Sequence, residues 1–298
     1  MKKLIVLAGP TAVGKTQLSI DLAKHFSCPI ISGDSRQFYK EIGIGTAKPS
    51  TEEMDGVKHY FIDSHSIHDP VSAGKFEEEA IPVIEELFKS HDYLILTGGS
   101  GLFLKAIYDG LDYFAPIPKD IRKNVNEIFE ENGLEFIQNK LKELDPEYYE
   151  KVDLHNHSRI LRALEVCIHS GEPFSNQRKN IKKERSFSTI KIMLNREREE
   201  LYDRINRRVH IMMDMGLIEE AKPLVEHKDL KSLQTVGYTE IFDYLEGNIS
   251  IERAIELIQQ NSRRYAKRQL TWFRREEGFE WFHPNEQEKI VEFISNYC

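Results

Sequence analysis

Residues 9–16 read Gly-Pro-Thr-Ala-Val-Gly-Lys-Thr and match the pattern G-x-x-x-x-G-K-[ST]. A loop of this type points consecutive backbone N–H groups at phosphate oxygens, and the helix that follows adds the partial positive charge of its N-terminus. A plain glycine turn is disfavoured because the pattern also lies between an apolar run and a helical stretch. We therefore predict that one continuous segment binds a diphosphate or a nucleotide such as ATP: Gly9, Pro10, Thr11, Ala12, Val13, Gly14, Lys15 and Thr16.

Asp34 is the second candidate for chemistry. It follows an apolar run at residues 29–32, and in a doubly wound sheet it lies at the same edge as the phosphate loop. A carboxylate there can bind Mg²⁺ indirectly, bind a ribose or accept a proton. The structural alternative is a turn, since Asp-Ser after glycine is common turn chemistry.

The third candidate is a basic segment from Asn261 to Arg275, which contains no acidic residue. The chain as a whole is acidic, because it has 41 basic and 49 acidic residues and a net charge of −8. Phosphate contacts require Lys and Arg, so the local cluster predicts a polyanion site; a merely solvated helix face is the alternative. The basic residues are Arg263, Arg264, Lys267, Arg268, Arg274 and Arg275.

Short apolar runs at residues 3–8, 29–32, 93–96 and 190–194 predict buried parallel strands. Helical patterns separate the early runs, beginning with Thr16–His25, and such alternation predicts an α/β fold with a doubly wound parallel sheet. Further helices are expected near 198–215, 216–227 and 250–275, and the chain is expected to be helical almost to its end.

The alternation stops between residues 115 and 187, where helical, charged stretches carry no strand signal. We predict a P-loop catalytic core formed by residues 1–114 and 188–298, with C-terminal helices, and a helical insertion domain at 115–187.

Bulk composition indicates a folded protein with a core, because 40% of the 298 residues are hydrophobic and 30% are charged. No apolar run approaches the ~20 residues that span a bilayer. The cysteines are odd in number and widely spaced, which favours a reducing compartment. We expect a cytoplasmic monomer without membrane contact.

With these motifs identified, the sequence resembles the tRNA dimethylallyltransferase (isopentenyltransferase) family of bacterial type over nearly its whole length. DSRQFYKEIGIGTAKP at 34–49 is the most specific block, because phosphate-loop kinases do not carry it. The other blocks occur in the family's order: GPTAVGKT at 9–16, GGSGLF at 98–103, SRILRALEV at 158–166, REELYDRINRRV at 198–209, GYTE at 237–240 and RRYAKRQLTWFR at 263–274.

This resemblance implies transfer of a dimethylallyl group from dimethylallyl diphosphate to N6 of the adenosine at tRNA position 37, next to the anticodon. It implies that Asp34 is the general base, that Thr16 orders the diphosphate and Mg²⁺, and that Lys15 and Arg198 contact the diphosphate. It also implies that a larger set of residues contacts the anticodon loop of tRNA: Ser35, Arg36, Gln37, Ser100, Arg122, Ser158, Arg159, Ile160, Leu161, Arg162, Lys267, Arg268 and Arg274.

The resemblance also carries departures and leaves rivals open. Phe103 stands where the family has Tyr, and Ser100 where it usually has Thr. One rival is a P-loop nucleotide or small-molecule kinase; its expected strand-end Asp is missing, because Asp92 precedes the apolar run at 93–96. Another is an adenylate isopentenyltransferase that acts on free AMP, which the basic segment disfavours. An RNA-binding module with a vestigial loop is disfavoured by the intact Lys15, Thr16 and Asp34.

Overall fold

A parallel β-sheet lies at the centre of the structure. The computed structural model describes residues 2–179 and 181–297. The described strands run in the order β3-β2-β4-β1-β5-β6, and all their pairings are parallel. Their bounds are β1 Lys3–Ala8, β2 Ile30–Ser32, β3 His59–Tyr60, β4 Tyr93–Gly98, β5 Ser188–Leu194 and β6 Phe279–Phe282.

Helices fill the intervals between and after the strands. In chain order they are α1 Lys15–His25, α2 Thr51–Met54, α3 Ala73–Leu87, α4 Gly101–Tyr108, α5 Lys119–Leu144, α6 Pro146–Tyr149, α7 His157–Ser170, α8 Phe174–Gln177, α9 Arg198–Asp214, α10 Leu217–Ala221, α11 Tyr238–Leu245, α12 Ile251–Phe273 and α13 Gln287–Asn296. Short 3₁₀ helices cover Ile44–Thr46 and Lys222–His227.

Both faces of the sheet are buried, as a doubly wound sheet requires. Side chains alternate along a strand, so Leu4 and Val6 belong to one apolar cluster while Ile5 and Leu7 belong to the other. The first cluster includes residues from α3, α11 and α12, and the second includes residues from α1 and α13. The α/β fold predicted from the sequence is confirmed.

The sequence located β1, β2, β4 and β5, but β3 and β6 were missed. The expectation that the chain is helical almost to its end is wrong at Phe279–Phe282, which pairs with β5 at the edge of the sheet. β3 has two residues, too few for an alternating pattern. Strands this short form because a neighbouring strand supplies their hydrogen bonds, which a local pattern does not reveal.

The chain divides into two units, one made of residues 2–108 and 184–297 and the other of Asp109–Lys183. The smaller unit contains α5 to α8 and has an apolar core of its own, in which Val125, Ile137 and Leu141 of α5 meet Ile160 and Leu164 of α7. Within α5, Gly133 has a φ of 78°, so two helical stretches meet there at a kink.

Candidate functional site

The phosphate loop connects the central strand to the first helix. β1 ends at Ala8 and α1 begins at Lys15. Gly14 has a φ of 111°, a conformation that side chains rarely adopt, and a Cβ at Gly9 would lie 2.8 Å from Cγ1 of Val13. Backbone conformation favours glycine at position 14 and close packing against Val13 favours it at position 9. The strand–loop–helix context that supports phosphate binding is present.

Lys15 lies against its own loop. Its Nζ donates hydrogen bonds to the carbonyl oxygens of Gly9 at 3.0 Å and Pro10 at 2.9 Å. Burial lowers the pKa of the Lys15 ammonium to about 8; the Asp34 carboxylate opposes this shift and the Arg208 guanidinium adds to it. The next residue, Thr16, has an exposed side chain in the first turn of α1.

Three arginines support the loop. Arg196 donates from Nε to the Val13 carbonyl at 2.8 Å, and Arg204 donates from Nε to the Ala12 carbonyl at 2.8 Å. Arg208 hydrogen-bonds the Thr11 hydroxyl. Burial lowers the pKa of Arg208 to about 10, while Asp34 opposes the shift. The group therefore stays cationic at neutral pH, and the loop is surrounded by positive charge.

Sequence reasoning chose a different arginine. It proposed Arg198 as the diphosphate contact. The structure instead places the guanidinium groups of Arg204 and Arg208 against the loop. Arg198 is exposed in the first turn of α9, where its guanidinium lies 5.1 Å from the centre of the Tyr202 ring. Helical spacing alone does not reveal which side of α9 faces the loop.

Asp34 follows β2 at the same edge of the sheet as the phosphate loop. Its Oδ1 accepts a hydrogen bond from the backbone N–H of Arg36 at 3.0 Å, which is the turn geometry expected as the structural alternative. Its charge also acts beyond the turn, because it favours the protonated forms of Lys15, Arg208 and Tyr265. The carboxylate is therefore both a turn cap and the anionic group opposite the cationic loop.

Contacts between Ser35 and Ser100 link the loop after β2 to the loop after β4. Their hydroxyl oxygens are 3.0 Å apart, and the backbone N–H of Ser35 donates to Oγ of Ser100 at 3.3 Å. Tyr265 of α12 lies near Ser100 and Asp34; burial raises the pKa of its hydroxyl to about 12, and the Asp34 charge adds to that shift. We name Asp34, Ser35, Ser100 and Tyr265 the acceptor cluster.

Two residues assigned to tRNA by resemblance are hydrogen-bonded within the protein. The Arg36 guanidinium donates to the carbonyl oxygens of Lys231 and Ser232 at 3.0 Å each. Gln37 donates from Nε2 to the Ala47 carbonyl at 3.1 Å. The segment after Asp34 is therefore held in place by side chains that point toward the protein.

Glu220 is a supporting residue that the sequence did not reveal. Its carboxylate accepts hydrogen bonds from the backbone N–H groups of Gly43, Ile44 and Gly45, at 2.8 to 3.2 Å. It also accepts one from the Tyr238 hydroxyl; burial raises the pKa of that hydroxyl, and the Glu220 charge raises it further. Because Gln37 bonds to the neighbouring Ala47, Glu220 stabilises the region that carries Asp34.

α12 presents different residues on its two sides. Lys267 and Arg268 are exposed, and the exposed Arg274 follows the helix as its C-cap. Over residues 2–179 and 181–297, none of these three forms an ion pair with an acidic side chain. Phe273, at the end of the same helix, is instead buried in the core.

Trp272 is also turned inward. A Cβ on Gly101 would lie 2.2 Å from its ring, so the ring packs on the start of α4. The inner side of α12 also carries Gln269, which is 6% exposed and contacts both the phosphate loop and the loop after β4. Neither contact could be expected from the sequence, since Gln in a basic helix has no distinguishing pattern.

The smaller unit holds the remaining residues assigned to tRNA. Ser158 and Arg159 are exposed at the start of α7. Arg122 and Arg162 both pair with Glu165, at 3.4 and 3.2 Å. Two assignments are wrong at the level of the side chain: Ile160 is fully buried and Leu161 nearly so, and both belong to the core of this unit.

The sheet, the loop and the cation-rich surroundings define a P-loop α/β protein. Comparison with known proteins narrows this class. The family model described as IPP transferase matches residues 37–276. The chain belongs to this family.

The similar sequences and solved structures carry names of the same kind of enzyme. The chain is 49% identical to a tRNA dimethylallyltransferase of Christiangramia forsetii over 98% of its own length and 97% of the relative's. It is 48% identical to that of Flavobacterium johnsoniae, covering 99% and 97%. The Bacillus halodurans tRNA isopentenylpyrophosphate transferase structure has a TM-score of 0.74 at 38% identity, covering 99% and 96%. A eukaryotic dimethylallyltransferase acting on tRNA has a TM-score of 0.85 at 27% identity, covering 100% and 81%.

Among the helices in the described part of the chain, none combines the length and the apolar composition that crossing a bilayer requires.

Proposed function

We propose that this protein transfers a dimethylallyl group from dimethylallyl diphosphate to N6 of the adenosine at position 37 of tRNA. One observation carries the proposal: Asp34 follows β2 and the phosphate loop follows β1 at the same edge of the parallel sheet, with only β4 between them, and the Asp34 charge acts on Lys15 and Arg208. A proton acceptor and a diphosphate site are therefore adjacent. Curated relatives over nearly the full chain are named for this reaction.

On the donor side, the bond between the allylic carbon and the diphosphate oxygen breaks, and its electron pair leaves with the diphosphate. Negative charge therefore develops on the leaving group in the transition state. Loop N–H groups stabilise that charge from fixed positions, and Lys15 adds its own charge by exchanging its bonds to the Gly9 and Pro10 carbonyls for the diphosphate. Arg196, Arg204 and Arg208 contribute indirectly, because they hold the loop through its carbonyl and hydroxyl oxygens.

On the acceptor side, the nitrogen lone pair of N6 forms the new bond to the allylic carbon. An exocyclic adenine amine is a weak nucleophile because this pair is delocalised into the ring, so loss of its proton must accompany bond formation. Asp34 accepts that proton as general base. The base must also leave its stack to reach the site, which costs a few kcal/mol and is offset by RNA contacts elsewhere.

We assign the RNA contacts to residues whose polar atoms are exposed. In the larger unit these are Lys267, Arg268 and Arg274, which carry positive charge without acidic partners in the described part of the chain. In the smaller unit they are Ser158, Arg159, Arg162 and Arg122. Ser35 and Ser100 serve the acceptor base, since they lie beside Asp34.

We also propose that Mg²⁺ accompanies the diphosphate. Thr16 offers an exposed hydroxyl at the start of α1, and no cluster of three or more His, Cys, Asp or Glu side chains suited to a metal occurs among the described residues. This donor set fits Mg²⁺, which keeps several waters and binds substrate phosphates rather than an all-protein cage. When bound, the ion neutralises charge on the leaving diphosphate.

The test incubates the purified protein with radiolabelled dimethylallyl diphosphate and bulk unmodified tRNA, with AMP and ATP in parallel reactions. We expect label in tRNA and none in AMP. Acceptor-dependent formation of ADP from ATP would instead identify a kinase. Label in AMP without label in tRNA would identify a free-nucleotide isopentenyltransferase.

A further inference from the structure

Gln269 of α12 connects two loops that are far apart in the sequence. Its Oε1 accepts a hydrogen bond from the backbone N–H of Thr11 at 2.9 Å, and its Nε2 donates one to the carbonyl oxygen of Gly99 at 2.9 Å. Thr11 belongs to the phosphate loop, and Gly99 precedes Ser100 of the acceptor cluster. The side chain is 6% exposed, so these bonds form with little competition from water.

This contact requires a side chain that both accepts and donates, which a carboxamide does at any pH. One end must accept from an N–H while the other end donates to a carbonyl oxygen, and an ionised carboxylate can only accept. Gly99 is matched to it, since a Cβ there would lie 2.2 Å from Nε2 of Gln269. Residues 99 and 269 therefore form a complementary pair with no room for a side chain at 99.

The two loops hold the two reacting groups of the proposed reaction. The phosphate loop holds the leaving diphosphate, while the loop at Gly99 leads into Ser100, which is bonded to Ser35 beside Asp34. We propose that Gln269 is a positioning residue that sets the distance between the donor site and the acceptor cluster. This inference rests on the proposed function. In this role Gln269 acts through the two backbone groups that it joins, the Thr11 N–H and the Gly99 carbonyl.

The rate of group transfer depends steeply on the distance between the reacting groups. A displacement of about 1 Å can cost roughly 10²-fold in rate. Loss of Gln269 should therefore lower turnover when both substrates are saturating. The apparent constant for tRNA should change little, because Lys267 and Arg268 lie on the exposed side of the helix.

The experiment compares Gln269→Met and Gln269→Glu with the wild type in single-turnover transfer to tRNA at saturating substrates. Gln259→Glu is the matched control, because it makes the same change on the same helix at a side chain whose Nε2 contacts Asn206 and His210. We expect Gln269→Met to be roughly 10- to 100-fold slower and Gln259→Glu to match the wild type. The folded fraction of each variant is measured by circular dichroism at the assay temperature.

The pH profile separates positioning from simple packing. A protonated carboxyl can donate to Gly99 and accept from Thr11, whereas a carboxylate cannot. The rate of Gln269→Glu relative to wild type should therefore rise as the pH falls, while the relative rate of Gln269→Met stays flat. Dividing by the wild-type rate removes the pH effects that the variant and the wild type share.

Two results would overturn the proposal. The first is a Gln269→Met rate equal to that of wild type, or lowered only in proportion to the folded fraction. The second is a flat relative profile for Gln269→Glu. A wild-type protein that transfers no label to tRNA contradicts the proposed function instead, so the two failures are distinguishable.

Discussion

The phosphate loop and the acceptor cluster lie at one edge of the same sheet but are built differently. The loop is eight consecutive residues between β1 and α1; its glycines permit its conformation, and side chains of α9 and α12 support it. The acceptor cluster takes Asp34 and Ser35 from the loop after β2, Ser100 from the loop after β4 and Tyr265 from α12. The phosphate loop is therefore a contiguous motif, whereas the acceptor cluster is assembled from segments far apart in the sequence.

This difference leads to separable effects of mutation. Substitutions in the phosphate loop should change the apparent dissociation constant for dimethylallyl diphosphate. Changes in the acceptor cluster should act on turnover, and changes on the outer side of α12 should act on tRNA affinity.

The largest effect is expected for Asp34→Asn. The amide keeps the size and can still accept the turn hydrogen bond from Arg36, but it cannot take a proton from N6. Turnover should fall by about 10²–10⁴-fold while tRNA affinity stays nearly unchanged, as measured by single-turnover transfer and filter binding. A variant that keeps more than half of wild-type turnover would remove Asp34 from its role.

Lys15→Ala comes next and tests the donor side. Removing the charged group that binds the diphosphate should raise the apparent dissociation constant for dimethylallyl diphosphate by roughly 10²-fold. This is the effect expected for loss of a charge-assisted hydrogen bond. Competition by inorganic diphosphate should weaken in parallel. If tRNA affinity fell instead, the division between the two regions would not hold.

Arg208 and Arg198 provide a matched pair on α9. Arg208→Gln removes the charge that contacts Thr11, so we expect the donor constant to rise roughly tenfold. Arg198→Gln removes an exposed charge and should change it less than twofold. Isothermal titration with inorganic diphosphate measures both. Equal losses in the two variants would restore Arg198 as a diphosphate contact.

The pH dependence of donor binding follows from Lys15. Because its pKa is lowered to about 8 in the free protein, raising the pH above 8 removes the proton from a group that must be charged to bind an anion. Affinity for inorganic diphosphate should therefore fall above pH 8, by at most about tenfold per pH unit for one proton. In Lys15→Met this decline should disappear; if it persists, another group is responsible.

The smallest effect is expected from Lys267→Ala combined with Arg268→Ala. Each contact to single-stranded phosphate contributes about 0.7 to the slope of log affinity against log salt. The double variant should bind tRNA severalfold more weakly, with a slope flatter by about one unit or more. Turnover at saturating tRNA and the donor constant should change little. An unchanged slope would make the outer side of α12 structural.

Sequence reasoning reached the parts of this molecule that depend on short-range order. The phosphate loop, four of the strands and the position of Asp34 at the sheet edge follow from patterns within a few residues. Arg208, Glu220 and Gln269 were missed, because each acts on a segment more than 150 residues away. Their residue types are ordinary on helices, and only the packing of α9, α10 and α12 shows their partners. Ile160 and Leu161 show the opposite error, since a matching motif drew core residues into the predicted site.

The pairing of β1 has a consequence for how the protein is made. Lys3 pairs with Tyr93 on one side and with Ser188 on the other, so β5 emerges from the ribosome roughly 185 residues after β1. At about 5–20 residues per second, this interval lasts roughly ten to forty seconds. During it the β5-facing side of the central strand has no partner, and the smaller unit, with its own apolar core, is being synthesised. The nascent chain therefore exposes an unpaired edge of its central strand for roughly ten to forty seconds, although no such edge exists in the final fold.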